Sequence, residues 1–160
     1  MAKVKVVGID SFVNDLSKLT SDSDGIMKAS VYDGAGVIAD AVKANINALP
    51  TRKNHYVPEG KRARGATPYE KIALQRNFGI AKMRTGDGAD TVIGFDGYDG
   101  MPTKKWPQGH PVSMVARSIE SGTSWLQKTP FVNKAVASSR AAAESAMQAR
   151  FETELKKRGF

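Results

Sequence analysis

The chain has 160 residues, a length that suits one domain with a sizeable hydrophobic core. Its hydrophobic share of 41% and charged share of 25% are ordinary for a soluble globular chain, and no apolar run approaches the ~20 residues that cross a bilayer. The absence of cysteine excludes disulfides and thiolate metal sites, and Met1-Ala2-Lys3-Val4-Lys5 lacks the apolar region of a signal peptide.

Alternation over Lys3 to Val7 predicts a short strand that Gly8 ends. Asp10 or Ser11 caps a predicted short helix with Phe12, Leu16 and Leu19 on one face. Ser21-Asp22-Ser23-Asp24 reads as a second cap, opening a long helix along Val31, Ala35, Ile38, Val42, Ile46 and Leu49 that Pro50 stops. Gly34 and Gly36 inside that helix each cost about 0.5–1 kcal/mol against alanine, which points to a close backbone approach.

Thr51 to Ala66 is polar, basic and aperiodic, and is expected to be a mobile loop. Thr67-Pro68-Tyr69-Glu70 is a capping box with proline at the first helical position, and Gly79 is the expected end of its helix. Ile80 to Arg84 and Thr91 to Phe95 are strand-like; Gly86-Asp87-Gly88 between them predicts a hairpin. A long loop is expected from Gly97 to Pro111, carrying Tyr98, Met101 and Trp106. Pro111 then opens a helix through Met114, Val115 and Ile119 that Gly122 stops. Thr129-Pro130 is the expected start of the last helix, whose face is Val132, Val136, Ala143, Met147, Phe151 and Leu155. Its alanines from Ala135 to Ala149 permit close helix packing, and Glu152–Lys156 and Glu154–Arg158 are favourably ordered i,i+4 pairs. No repeat or low-complexity linker interrupts the chain. The expectation is a single α+β domain over residues 1–160: a small antiparallel sheet packed against a long helix and a C-terminal helix, with extended loops.

Reactive constellations are hard to find. Glu120-Ser121-Gly122-Thr123 has no nucleophile-elbow frame and follows a helix instead of a strand. His55 and His110 both fall in predicted loops and read as solvated. Asp87, Asp90, Asp96 and Asp99 do not match the spacing of a calcium loop and read as turn formers. Gly34-Ala35-Gly36 and Gly86-Asp87-Gly88 lack the lysine of a phosphate loop. No cofactor and no metal is expected.

The charge is localised. Nine Lys/Arg against two acids between Pro50 and Arg84 contribute +7 of the net +8. Arg52, Lys53, Lys61, Arg62 and Arg64, with His55 and Tyr56 interleaved, could follow a phosphate backbone. A loop kept soluble by its charge, or one docked on an acidic protein surface, explains the same pattern.

The ordered features resemble a family of tailed-bacteriophage morphogenesis proteins, the tail-component or tail-completion proteins of the head–tail junction. The resemblance lies in "GID" at Gly8, "GAGVIADAVKANINALPT" from Gly34 to Thr51, "GIAKMR…VIGFDGYD" from Gly79 to Asp99, and "ARSIESGTS…TPFVNKAV" from Ala116 to Val136. The middle stretch is similar to the branch in phages and prophages of Gram-positive hosts. Such proteins are non-enzymatic. The resemblance therefore implies a ring of identical copies at the neck or tail end, assembled in the bacterial cytoplasm and traversed by DNA. Implied partners are further copies of the chain, the connector, and tail-terminator or tail-tube proteins, with transient non-specific contact to phage DNA and no membrane. Arg117, Glu120, Gly122, Thr123, Pro130 and Phe131 fall in the family's hallmark corner and are expected near a subunit contact. A free-standing basic DNA-binding protein using residues 52–84 is the alternative.

Overall fold

The computed structural model describes residues 9–53, 60–83 and 89–159, with side chains from Ser23 onward. The elements in order are α1 (Ile9–Asn47), α2 (Pro68–Arg76), β1 (Phe78–Ile80), β2 (Ile93–Phe95), α3 (Val112–Ser121) and α4 (Val132–Lys157). This is an α+β fold in which the long N-terminal helix packs on the C-terminal one. The expected strand Lys3–Val7, the turn Gly86-Asp87-Gly88, and His55 with Tyr56 all lie outside the described residues.

The first correction concerns α1. Where the sequence predicts two helices separated by a cap at Ser21–Asp24, the structure has one continuous helix. Serine and aspartate are poor helix residues by only tenths of a kcal/mol each, which is too little to interrupt a helix over four residues. The buried stripe starts immediately afterwards, with Ile26, Ser30, Ala35, Ala39, Val42, Ile46 and Leu49 all turned inward. Asp24, no longer a cap, pairs with Lys28 one turn on, and the Ser30 hydroxyl satisfies itself on Ile26 O at 2.9 Å.

α4 runs antiparallel to α1. Asn45 Nδ2 donates to Phe131 O at 2.8 Å near one end, Gly34 lies under Met147 in the middle, and Gly25 faces Arg158 at the other. Only part of the predicted apolar face of α4 is buried: Ala143 is, and Val132, Met147 and Leu155 are half-buried. Ala135, Ser139 and Ala143 are buried, while Val136 and Phe151 are 40% and 42% exposed. The reason is proximity: a Cβ on Gly34 would sit 2.4 Å from Met147 Cγ and 3.3 Å from Ala143 O. The backbones come close at Ala143, where the side chain is small, and Met147 packs into the space that Gly34 leaves. Gly36, the other expected point of approach, would meet nothing within 4 Å.

α2 begins as its capping box dictates. Thr67 Oγ1 accepts from Glu70 N–H, and Glu70 Oε2 accepts from Thr67 N–H at 2.7 Å. It stops at Arg76, three residues before Gly79, because Asn77 closes the last turn with backbone and side-chain bonds to Ala73 O. Gly79 belongs to β1, opposite Gly94 of β2. The antiparallel pair also aligns Phe78 with Phe95 and Ile80 with Ile93, so these four side chains share one face. β1 starts earlier than predicted because Phe78 stacks on Phe95, with ring centroids 5.1 Å apart.

The core lies at this end of the helix pair. Val42 and Ile46 of α1, with Leu49 just beyond its end, meet Leu74 of α2, Val112, Val115 and Ile119 of α3, and Leu126, Phe131 and Ala135. Both flanks of the basic segment are sewn to it. Arg52 N–H donates to Ala66 O and Ala66 N–H to Pro50 O, both at 2.9 Å, and Ala63 exchanges backbone bonds with Trp125 and Gln127. Gly65 has φ +79, and a Cβ there would lie 1.9 Å from Pro50 O, so only glycine fits. The expected mobile loop at 51–66 is therefore fixed at both ends.

Candidate interaction surface

The corner after α3 is tied together by a cluster of polar bonds. Gly122 takes φ 77 and lets the chain leave the helix, with its N–H still bonded to Ser118 O. Its ψ of 170 is extended, so the exit is a sharp bend instead of the expected left-handed cap. Thr123 then closes a turn, its Oγ1 accepting from Leu126 N–H at 3.1 Å and its own N–H reaching Leu126 O at 2.9 Å. Thr129 N–H returns to Ile119 O at 2.9 Å.

Glu120 does something no local pattern foretells. Its carboxylate accepts from the backbone N–H groups of Phe131 (2.7 Å), Val132 (2.9 Å) and Asn133 (3.0 Å). These are the orphan donors at the start of α4, so an anion from α3 caps the positive end of a 26-residue helix. That corrects one expectation: α4 starts at Val132 with no cap from Thr129. Glu120 serves that end, and Arg117, one turn earlier on α3, is exposed. Pro130 is exposed, whereas Phe131 is 2% exposed and meets Phe95 edge-on at 6.1 Å.

A matching device closes α1. That helix has no basic residue in its last turn, yet Lys71 of α2 donates to Asn47 O at 2.7 Å and Leu49 O at 3.2 Å. The negative end of one long helix and the positive end of the other are thus served by side chains from the two short ones. Neither contact has a signature in sequence spacing, because the partners are 24 and 11–13 residues apart.

The basic segment divides. Arg52 is buried: its Nη2 donates to both Glu70 oxygens at 2.8 and 2.7 Å, its Nε to Gly65 O at 3.3 Å, and its Cζ lies 5.1 Å over the Trp125 ring. Arg52 is therefore a clamp between the capping box and the 63–127 contact, in place of the phosphate ligand the sequence offered. Its Nη1 is buried without a hydrogen-bond partner among the described residues. Lys53, Lys61, Arg62 and Arg64 remain exposed and form the accessible part of the patch.

Two depressions of about 460 Å³ flank α3. One holds Asp99 and His110 among Met101, Met114, Ile119 and Trp125. Asp99 Oδ1 accepts from Met101 N–H and His110 N–H, both at 2.9 Å, and Oδ2 meets His110 Nδ1 at 3.2 Å. His110 is thus half-buried and oriented, unlike the solvated loop residue expected. The carboxylate acts as a clasp for the long loop from Gly97 to Pro111, a turn-forming role. Ser118 in the same lining donates its hydroxyl to Met114 O at 2.9 Å. The other depression is an open apolar groove between β2 and the helices, bounded by Ile38, Val42, Phe95, Val132 and Val136.

At the far end of the helix pair, Glu154 is surrounded by cations: Arg158 at 2.6 Å, Lys157 at 3.0 Å and Arg150 at 3.3 Å. Hydrogen bonds from Arg158 and Lys157 hold its carboxyl well down, at about 2. The predicted Glu154–Arg158 pair is present, while Glu152 accepts from Gln148 at 3.1 Å. Among the described residues, no three His, Cys, Asp or Glu gather as a metal would require, and no helix is long and apolar enough to cross a membrane.

What the described residues offer outward is therefore apolar and basic surface. Tyr32, Tyr69, Ile72, Val92, Trp125 and Phe151 are each more than 40% exposed. Comparison with known proteins finds no matching family model, no matching curated protein and no matching solved structure.

Proposed function

We propose that the chain is a non-enzymatic joining protein of a tailed-phage particle, forming a ring of identical copies at the head–tail interface through which DNA passes. The observation that carries the reading is the amount of large apolar surface left open around two long, rigidly capped helices. Surface of that kind is what a subunit of a larger assembly presents. The ordered resemblance supplies the identity of the assembly, and its hallmark stretch from Ala116 to Val136 is the corner where Glu120 ties α3 to α4. Partners on this reading are sister copies, the connector and the tail-terminator or tail-tube proteins. The test is electron microscopy of particles made without the protein. Separate full heads and finished tails are expected; normal infectious particles would overturn the proposal.

A second reading is a free-standing DNA-binding protein. The exposed cluster Lys53, Lys61, Arg62 and Arg64 favours it. Phosphate contacts release counterions, so binding should fall steeply between low and physiological salt. No mobility shift of duplex DNA at low salt would eliminate it.

A further inference from the structure

We propose that the edge of β2 turned away from β1, unpaired among the described residues, takes residues Lys3–Val7 of a second copy as an added strand, with the neighbouring apolar groove receiving its side chains. The inference deepens the self-assembling reading above and rests on it. The edge comes first. Ala81 N–H donates to Val92 O at 2.7 Å and Asp96 N–H to Asn77 O at 2.9 Å, which fixes the phase of the ladder. Asn77, Gly79 and Ala81 therefore exchange bonds with Asp96, Gly94 and Val92. It follows that the N–H and C=O groups of Ile93 and Phe95 point away from β1. Neither strand carries proline or a charged residue, the usual devices that blunt an edge. Two strands of three residues also fall short of the three-stranded sheets that hold together unaided.

The neighbouring groove opens on the hairpin face that carries Phe78, Ile93 and Phe95. Thr91, Ile93 and Phe95 form one bank, and Ile38, Val132 and Val136 the other. A strand laid along β2 would send alternate side chains into it. Lys3–Val7, outside the described residues, has the required pattern: Val4 and Val6 alternate with Lys3 and Lys5. Apolar residues on one face and lysine on the other suit a strand at the rim of a sheet.

Reach decides which molecule supplies it. The groove is at Ile38, and at ~1.5 Å of rise per residue Ile9 lies about 44 Å away along α1. The chain from Lys3 to Ile9, fully extended, spans about 20 Å. The segment cannot come back to its own hairpin, so a strand it adds to β2 comes from a neighbouring copy. Because the strand and the edge are different surfaces, the contact is head-to-tail and propagates into a ring or filament.

The cysteine-free chain allows a direct test. One preparation carries Lys5→Cys and another Val92→Cys, both on the face away from the groove, and the two are mixed under mild oxidation. A disulfide between the two variants is expected, and Lys3→Cys covers the register one pair along. Arg140→Cys, on an exposed turn of α4, should give none with Val92→Cys. Adding Val4→Asp and Val6→Asp to the Lys5→Cys chain should cut the mixed product at least tenfold. No mixed disulfide from either lysine position would overturn the proposal, as would a single chain carrying both Lys5→Cys and Val92→Cys that closes only within a monomer. If particles depend on the protein but no mixed disulfide forms, this junction fails and the functional reading stands. If the disulfide forms but particles assemble normally without the protein, the functional reading fails and the junction stands.

Discussion

Replacing Glu120 with alanine should destabilise the whole fold, because the side chain links α3 to the start of α4. Three backbone N–H groups lose an anionic acceptor at 2.7, 2.9 and 3.0 Å. Loss of an ordinary N-cap costs about 0.5–2 kcal/mol, and a partly buried charge at a helix end contributes up to about 2 kcal/mol more. These terms overlap, since one carboxylate provides both, so about 2–3 kcal/mol is the expected total. For a chain of this size that lowers Tm by about 5–10 °C. Urea unfolding followed by circular dichroism measures it. Glu120→Gln keeps one oxygen acceptor without the charge and should lose about half as much. Arg117→Ala is the control: if Glu120 serves the helix end, Arg117 is dispensable and its removal changes stability by less than about 0.5 kcal/mol. The reasoning is refuted if Glu120→Ala unfolds within 0.5 kcal/mol of the parent, or if Arg117→Ala costs as much.

Other changes separate parts of the structure that look alike in sequence. Gly36→Ala meets nothing and should stabilise α1 by about 0.5–1 kcal/mol, whereas Gly34→Val pushes into Met147 and Ala143 and should cost about 1–3 kcal/mol by denaturant unfolding. Arg52→Ala leaves Glu70 without its cation beside Trp125 and should cost about 3 kcal/mol, while Lys61→Ala, Arg62→Ala and Arg64→Ala combined should leave unfolding unchanged. If DNA binding exists, the triple variant should weaken it and flatten its salt dependence, measured by titration at several salt concentrations. Glu154 is held at about 2 against a usual 4.5, so its contribution to stability is complete above pH 4.5 and disappears as pH falls through 2. Glu154→Gln should remove that part of the acid limb, and an unchanged acid unfolding profile would show that the three cations do not act on it.

Local chemistry was legible wherever the determining atoms are neighbours in the chain. The Thr67–Glu70 capping box with Pro68, the exit at Gly122, the hairpin pairing and the i,i+4 pair of Glu154 with Arg158 each involve residues at most four apart or one short connection. The α+β class followed from those elements in order. Arg52 shows the limit. Composition placed it in a solvated basic loop, yet its partner Glu70 is 18 residues away and reaches it only because Ala66 pairs with Pro50 and Arg52. Sequence could count the charge but could not say which cation would be buried.

The amino-acid order alone determined that the chain makes amphipathic helices and one hairpin, where several of them begin and end, and that its charge is gathered in one segment. Tertiary structure decided what those elements do to each other. Two predicted helices are one in the structure, α1, because the weak cap residues between them cost too little to interrupt it. The fold turned Ala135, Ser139 and Ala143 of α4 inward and left Val136 and Phe151 exposed, with Gly34 making room for Met147 and for a close approach at Ala143. It also gave Lys71 and Glu120 to the ends of helices distant in sequence. Helix ends, close approaches and buried charges are satisfied by whatever the fold brings near, and nearness in space is not encoded by spacing along the chain.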